Sequence, residues 1–333
     1  MSIPKAVYFN VDDTLEYENS LLEKWGVAGQ LELVEAKPGS NSDAAYIEAM
    51  QGAQGSVVEY FEVTEPVLAA LPDLQVVSLQ AIGYSNVDAA AATKYGVALT
   101  NSPGFCSEEV ALHTVGLLID LVRKLSFLDR SVRAGKWDPI LGPMPQRITG
   151  KRIGLVFFGS IPKKMVPILK AIGLEVAAYA PTKTAAYLDE FGVVKVETLD
   201  ELLATSDFIS MHTPLKAETR HLIGAREFAL MKPSAFFLNT ARGAVVDEAA
   251  LVAALKSGQI AGAGIDVIED EDTEQSELFG LENVVITPHA AFVSEQSFAQ
   301  AREMALSQLV QVLVEKRRPD YLVNTDVKIK GIG

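Results

Sequence analysis

The sequence holds one cysteine, Cys106. A lone thiol cannot build an internal disulfide framework and suits a reducing compartment such as the cytoplasm. No base or cation stands near it in sequence, so it reads as a small residue packed at a helix start rather than a nucleophile. Long apolar runs are also missing, since none approaches the roughly 20 residues a membrane span requires. The opening MSIPKAVYFNVDD has no basic region, apolar core or small-residue cleavage site, so no secretory signal is expected. Internal repeats, low-complexity tracts and heptads are absent. Basic charge is scarce: 29 Lys and Arg face 43 Asp and Glu, a formal net charge of −14. That excess repels phosphate backbones, so nucleic acid is not an expected partner.

What is present is alternation. At 333 residues the chain is too long for one ordinary core and fits two domains. Short apolar runs that read as strands (6–9, 31–34, 56–59, 75–79) alternate with helical segments (42–50, 65–71). This predicts a parallel sheet with helices on its faces. After the breaker Asn101-Ser102-Pro103-Gly104 comes one long helix. Ser107 is its N-cap, and Val110, Thr114, Leu117, Leu118, Leu121, Leu125 and Leu128 form its apolar stripe. Such a helix could cross between domains. His113 lies beside the stripe, as a packed residue or as part of a cleft wall.

The stretch from Lys151 to Pro181 organises the second half. It reads as strand 153–158, a tight turn, helix 163–171 and strand 174–179, the first βαβ unit of a dinucleotide-binding domain. The G-x-G-x-x-G register falls on Phe157, Gly159 and Pro162, so only the middle glycine is kept. Later strands end in polar residues: His212-Thr213-Pro214, Thr240-Ala241-Arg242, Asp266 and Pro288-His289. Ligands of open α/β sheets bind at those ends. Gly83, after strand 75–79, either lets a ligand approach the backbone or makes a plain turn.

The segments GYSNVDAAAATKYGVALTNSPG, EEVALHTVGLLIDLVRK, HTPLKAETRHLIG, MKPSAFFLNTARGAVVDEAALVAALKSGQIAGAGIDV and NVVITPHAAF together resemble the D-isomer-specific 2-hydroxyacid dehydrogenases. The resemblance implies two Rossmann-like or flavodoxin-like domains with parallel sheets. A dinucleotide-binding domain (102–290) would be inserted in a discontinuous substrate domain (1–101 and 291–333). It further implies a homodimer formed around the long helix and the Trp137 segment, and NAD(P)-dependent interconversion of a small D-2-hydroxy acid and its 2-oxo acid.

By the same resemblance, Arg242 anchors the substrate and His289 is the proton donor. The carboxylate partner of His289 lies five residues after Asp266, at Glu271, with Glu269 next in line. Ile82 and Gly83 offer N–H groups to the substrate carboxylate. Coenzyme contacts fall to Gly159, Ser160, Ile161, Ala180, Thr182, Lys183, His212, Thr213, Pro214, Thr219, Thr240, Ala241, Asp266 and Ala291; no metal is expected. Ala180 stands where an acid would pair with the adenosine ribose. With Thr182 and Lys183 beside it, this slightly favours NADP over NAD. Phe157, Pro162 and Ala180 also admit a second reading, a member that binds a metabolite or partner without catalysis.

Overall fold

The computed structural model describes residues 3–11, 14–59, 61–273 and 275–332. Among the described residues twelve strands form two sheets, and contacts divide the chain into two compact units: Met1–Phe105 with Ser294–Gly333, and Cys106–Val293.

The first unit holds β1 (Lys5–Phe9), β2 (Glu32–Ala36), β3 (Gly55–Val58), β4 (Val76–Leu79) and β5 (Ala98–Thr100), all parallel in the order β2-β1-β3-β4-β5. This is the flavodoxin-like order. β3 and β4 are buried along their whole length, as strands covered on both faces must be. Helix Glu295–Leu313 covers one face, and a Cβ at Gly55 would lie 2.9 Å from its Leu309 and Leu313 side chains. A helix over Glu16–Lys24, which the alternation pattern does not reveal, is tied to it. There Arg302 donates to both oxygens of the fully buried Glu18, at 2.8 and 2.6 Å. Removing Arg302 would strand the buried Glu18 charge.

The second unit holds β6 (Arg152–Val156), β7 (Glu175–Tyr179), β8 (Val194–Lys195), β9 (Phe208–Met211), β10 (Phe236–Asn239), β11 (Gly262–Ile265) and β12 (Val284–Ile286). The order is β12-β11-β10-β9-β6-β7-β8, all parallel. The chain winds outward from β6 in both directions. The switch point therefore lies between β6 and β9, and the C-terminal ends of all seven strands face the same way.

The long helix departs from the expectation. It starts at Ser107, so Cys106 occupies the cap position and the Ser107 hydroxyl is buried without a hydrogen-bond partner among the described residues. It also stops at Arg123: Lys124 adopts φ 56°, and a second helix runs over Leu125–Arg133. Leu125 thereby leaves the stripe and is exposed. The first helix lies wholly in the second unit, where a Cβ at Gly264 would meet Leu117 at 3.0 Å.

Candidate functional site

Six loops at the C-terminal ends of β6, β7, β9, β10, β11 and β12 carry the residues singled out in the sequence. The β6 loop begins with Phe157, whose φ is +72°. The left-handed turn that a glycine would make is thus present, held by a side chain that disfavours it. Its amide donates to the Tyr179 carbonyl at 2.8 Å, and its ring meets the Tyr179 ring edge-on at 6.3 Å. The aromatic packs sideways against β7. Gly159 follows, and a Cβ built there would meet nothing within 4 Å.

Helix Ser160–Ala171 starts at once and has no side-chain cap. Pro162 is its third residue, in the first turn, where an N–H has no intrahelical acceptor, so the proline costs no bond there. The N–H groups of Ser160 and Ile161 donate to nothing among the described residues. An uncapped helix start behind an open glycine, at the switch point, fits a phosphate bridge. Pro167, deeper in the helix, lacks the N–H that would reach the Lys163 carbonyl.

After β7, Ala180 is buried, Thr182 is exposed and Lys183 is half-buried. The Lys183 ammonium lies 5.2 Å from the centre of the Tyr187 ring. Lys163, from the helix, lies 5.4 Å from the same centre and 5.5 Å from Phe191. After β9, His212 hydrogen-bonds the Ser210 hydroxyl at 2.9 Å, and burial pushes its pKa down to about 3. Thr213 is buried and Pro214 exposed. Thr219 pins this loop by donating to the Pro214 carbonyl at 2.7 Å and accepting from the Lys216 amide at 2.8 Å.

The β10 loop is organised by Asn239, which the sequence reasoning passed over although it opens the NTARG run. Its side chain accepts from the Ala241 amide at 3.1 Å and donates to the Arg242 carbonyl at 2.9 Å. Thr240 bonds to Thr114 at 2.8 Å; Thr114 gives its own proton to the Val110 carbonyl, so Thr240 is the donor. Arg242 is half-buried, touches the Ala241 carbonyl at 2.6 Å and pairs with no carboxylate among the described residues. It lies close enough to Cys106 to favour the thiolate. The sequence had placed no cation there. Burial and Glu109 prevail and push the thiol up to about 11, so it stays inert.

The β11 and β12 loops close on each other. Asp266 is buried; one oxygen accepts from Thr287 Oγ1 at 2.6 Å and the Ala290 amide at 2.9 Å, the other from the Ala291 amide at 3.0 Å. His289 takes φ +50°, its amide bound to the Asp266 carbonyl at 2.7 Å. Its Nδ1 meets Glu271 Oε2 at 2.7 Å. Glu269, the second choice, is engaged elsewhere, by Arg220 at 2.8 Å and His221 at 2.7 Å. Gly243 explains how the loops sit so close: a Cβ there would fall 1.7 Å from the Ile268 carbonyl oxygen.

Ile82 and Gly83 lie in the first unit, after β4. The Ala81 and Ile82 carbonyls accept from the Ser102 amide (2.9 Å) and the Asn101 side chain (2.7 Å). The Ile82 and Gly83 N–H groups donate to nothing among the described residues. A cavity of about 460 Å³ in the second unit is bordered by Phe208, Phe236 and Val284, at the N-terminal ends of their strands, so it belongs to the opposite edge.

A seven-stranded doubly wound sheet with an acid–histidine pair and, at its C-terminal edge, an arginine that no carboxylate among the described residues pairs defines a dinucleotide-dependent oxidoreductase class. Residues 115–291 match the NAD-binding domain of the D-isomer-specific 2-hydroxyacid dehydrogenases. A glyoxylate reductase of Thermococcus litoralis is 37% identical over 273 residues, 80% of this chain and 82% of that protein. The NAD-complexed D-isomer-specific 2-hydroxyacid dehydrogenase of Lactobacillus delbrueckii ssp. bulgaricus superposes with a TM-score of 0.78 at 26% identity, over 96% of this chain and 99% of that one. The Thermus thermophilus protein TT0316 gives 0.84 at 30% identity, over 96% and 99%. The chain belongs to the D-isomer-specific 2-hydroxyacid dehydrogenase family, whose members are NAD(P)-dependent oxidoreductases of 2-hydroxy and 2-oxo acids. These comparisons give no support to the binding-only reading. Among the described residues no helix is long and apolar enough to cross a membrane.

Proposed function

We propose that this chain reduces a small 2-oxo acid to its D-2-hydroxy acid, and the reverse, with Arg242, His289 and Glu271 as the working residues and NADP(H) as the preferred coenzyme. The observation that carries the reading is the 2.7 Å contact of His289 with Glu271, on the loop next to an Arg242 that no carboxylate of the described residues neutralises. Glyoxylate, named for the Thermococcus litoralis relative, is the first substrate to try.

When bound, the coenzyme gives the substrate's C2 carbon a hydride or takes one from it. Every other part belongs to the chain. Ser160 and Ile161 N–H groups, behind Gly159, would hold the pyrophosphate. Asp266 would take the nicotinamide carboxamide, with His212, Thr213, Pro214, Thr219, Thr240, Ala241 and Ala291 shaping the walls. Arg242 can fork two donors toward the carboxylate and the carbonyl oxygen, polarising the bond that is reduced. Because His289 gives Nδ1 to Glu271, Nε2 is left to donate a proton to the nascent alkoxide and regain it in the reverse direction. Glu271 fixes the ring and offsets its charge when protonated. In the first unit, the Ile82 and Gly83 N–H groups, which donate to nothing among the described residues, would by the family resemblance suit a substrate carboxylate.

Three features support the finer points. Ala180 removes the ribose-pairing acid, while Lys163 and Lys183 bring two ammonium groups to one Tyr187 ring with no carboxylate beside them among the described residues. This favours a 2′-phosphate. The exposed Leu125, Val132, Trp137, Ile140 and Met144 supply an apolar surface for a second copy, hence a homodimer. The single buried cysteine suits the cytoplasm. Arg242→Ala should abolish turnover of glyoxylate and leave NADPH affinity within about threefold. Surviving turnover would contradict the anchoring role.

A further inference from the structure

Two adjacent residues of helix Ser107–Arg123 hold two strand tips. Thr114 accepts from Thr240 after β10, and His113, one residue earlier, reaches Thr287 after β12, with Nε2 2.9 Å from Oγ1. The second contact has a direction. The Thr287 hydroxyl has one proton, and its 2.6 Å neighbour Asp266 Oδ1 is a carboxylate oxygen, which accepts. Thr287 therefore donates to Asp266 and must accept from His113, so His113 carries its proton on Nε2. Nε2 also lies 3.6 Å from Asp266 Oδ1 itself. The Ala290 amide and the Thr287 hydroxyl share Oδ1, the Ala291 amide takes Oδ2, and His113 acts on the carboxylate through Thr287.

We infer that His113 is a positioning residue for the nicotinamide end of the coenzyme, acting through Thr287 to fix the Asp266 carboxylate. The inference rests on the proposed role of Asp266. Its side chain is a quarter exposed, so packing alone does not select histidine at that point of the helix. What the geometry asks of it is a donor at the Nε2 position. Glutamine can place an amide N–H there; leucine cannot donate, and asparagine is too short. Without the donor, Thr287 can turn its hydroxyl away, and the carboxylate loses both a hydrogen bond and its fixed orientation.

The test measures NADPH and NADH dissociation constants by coenzyme fluorescence for the wild type, His113→Leu, His113→Asn, His113→Gln, Thr287→Val, His113→Leu/Thr287→Val and Asp266→Ala. His113→Leu and Thr287→Val should each weaken binding by about tenfold. The double variant should be no weaker than either, since coupled residues do not add. His113→Gln should restore most of the loss and His113→Asn should not. An imidazole ¹⁵N spectrum of the free protein should show a proton on His113 Nε2, assigned among four histidines by its disappearance in His113→Gln. Unchanged affinity in His113→Leu, additive losses, or an Nδ1–H tautomer would overturn the inference. If Asp266→Ala weakens binding while the His113 and Thr287 variants do not, only the relay fails. If Asp266→Ala or the wild type itself gives no effect or no binding, the role of Asp266 fails first and takes the relay with it.

Discussion

Gly243→Ala is the sharpest perturbation the geometry offers. The added Cβ would stand 1.7 Å from the Ile268 carbonyl oxygen, 2.0 Å from its carbon and 2.6 Å from the Glu269 amide nitrogen. A carbon and a carbonyl oxygen need about 3.3 Å, so the two loops must part by roughly 1.5 Å. All three neighbours are backbone, which has no rotamer to yield. Arg242 precedes the substituted position, and Glu271 lies three residues beyond Ile268. Parting the loops therefore separates the proposed substrate anchor from the partner of the proposed proton donor. A displacement near 1 Å costs about 10²-fold in rate, and overpacking costs about 1–3 kcal/mol of stability. The assay is kcat/KM for glyoxylate at saturating NADPH, with urea unfolding alongside. Gly159→Ala is the matched control with the opposite signature. Its Cβ meets nothing within 4 Å among the described residues, so stability should hold within about 0.5 kcal/mol while coenzyme affinity falls, because on the proposed reading that space is where the phosphate bridge would approach. A Gly243→Ala protein with kcat/KM within threefold of wild type, by the same rate scale, would refute the reasoning.

Three further outcomes follow from the same geometry. Phe157→Gly relieves about 1–2 kcal/mol of left-handed strain and forfeits a comparable amount of half-buried ring, so unfolding free energy should move by less than about 1 kcal/mol with coenzyme affinity maintained; a loss above about 3 kcal/mol would mean the ring is indispensable. Glu271→Gln should cut kcat for glyoxylate about 10²-fold, whereas Glu269→Gln, whose carboxylate serves Arg220 and His221, should stay within about threefold; the reverse pattern would reassign the pair. The depressed His212 pKa makes acid destabilising. From its ordinary 6.5 down to about 3 the unfolded chain binds a proton that the folded chain refuses, so stability falls by at most about 1.4 kcal/mol per pH unit in that window. His212→Gln should flatten the urea-unfolding profile between pH 6.5 and 4, and an unchanged slope would count against the buried, neutral ring.

Much of this was readable from residue order alone, and what escaped did so for identifiable reasons. Buried parallel strands write themselves as apolar runs, so β3, β4, β9 and β11 stand out, while the two-residue edge strand β8 leaves no pattern. Helix Ser107–Arg123 breaks at a lysine with positive φ, with no glycine or proline to announce it. The preference for Glu271 over Glu269 comes from the family resemblance, which sets the acid five residues after Asp266, and not from local pattern; in the structure Glu271 meets His289 while Glu269 meets Arg220 and His221. The first glycine position of the fingerprint holds Phe157, yet its backbone makes the left-handed turn expected between strand and helix, because tertiary contacts outweigh a residue's own φ preference. The contact of His113 with Thr287 spans 174 positions and could not be seen in local pattern.

The account stands or falls on whether a dinucleotide seats against Gly159 despite Phe157 and Pro162. Titrating the wild-type protein with NADPH and NADH and following coenzyme fluorescence tests this directly. Saturable binding of both, tighter for NADPH and weakened by Gly159→Ala, is the expected result. No binding of either coenzyme at millimolar concentration would contradict it.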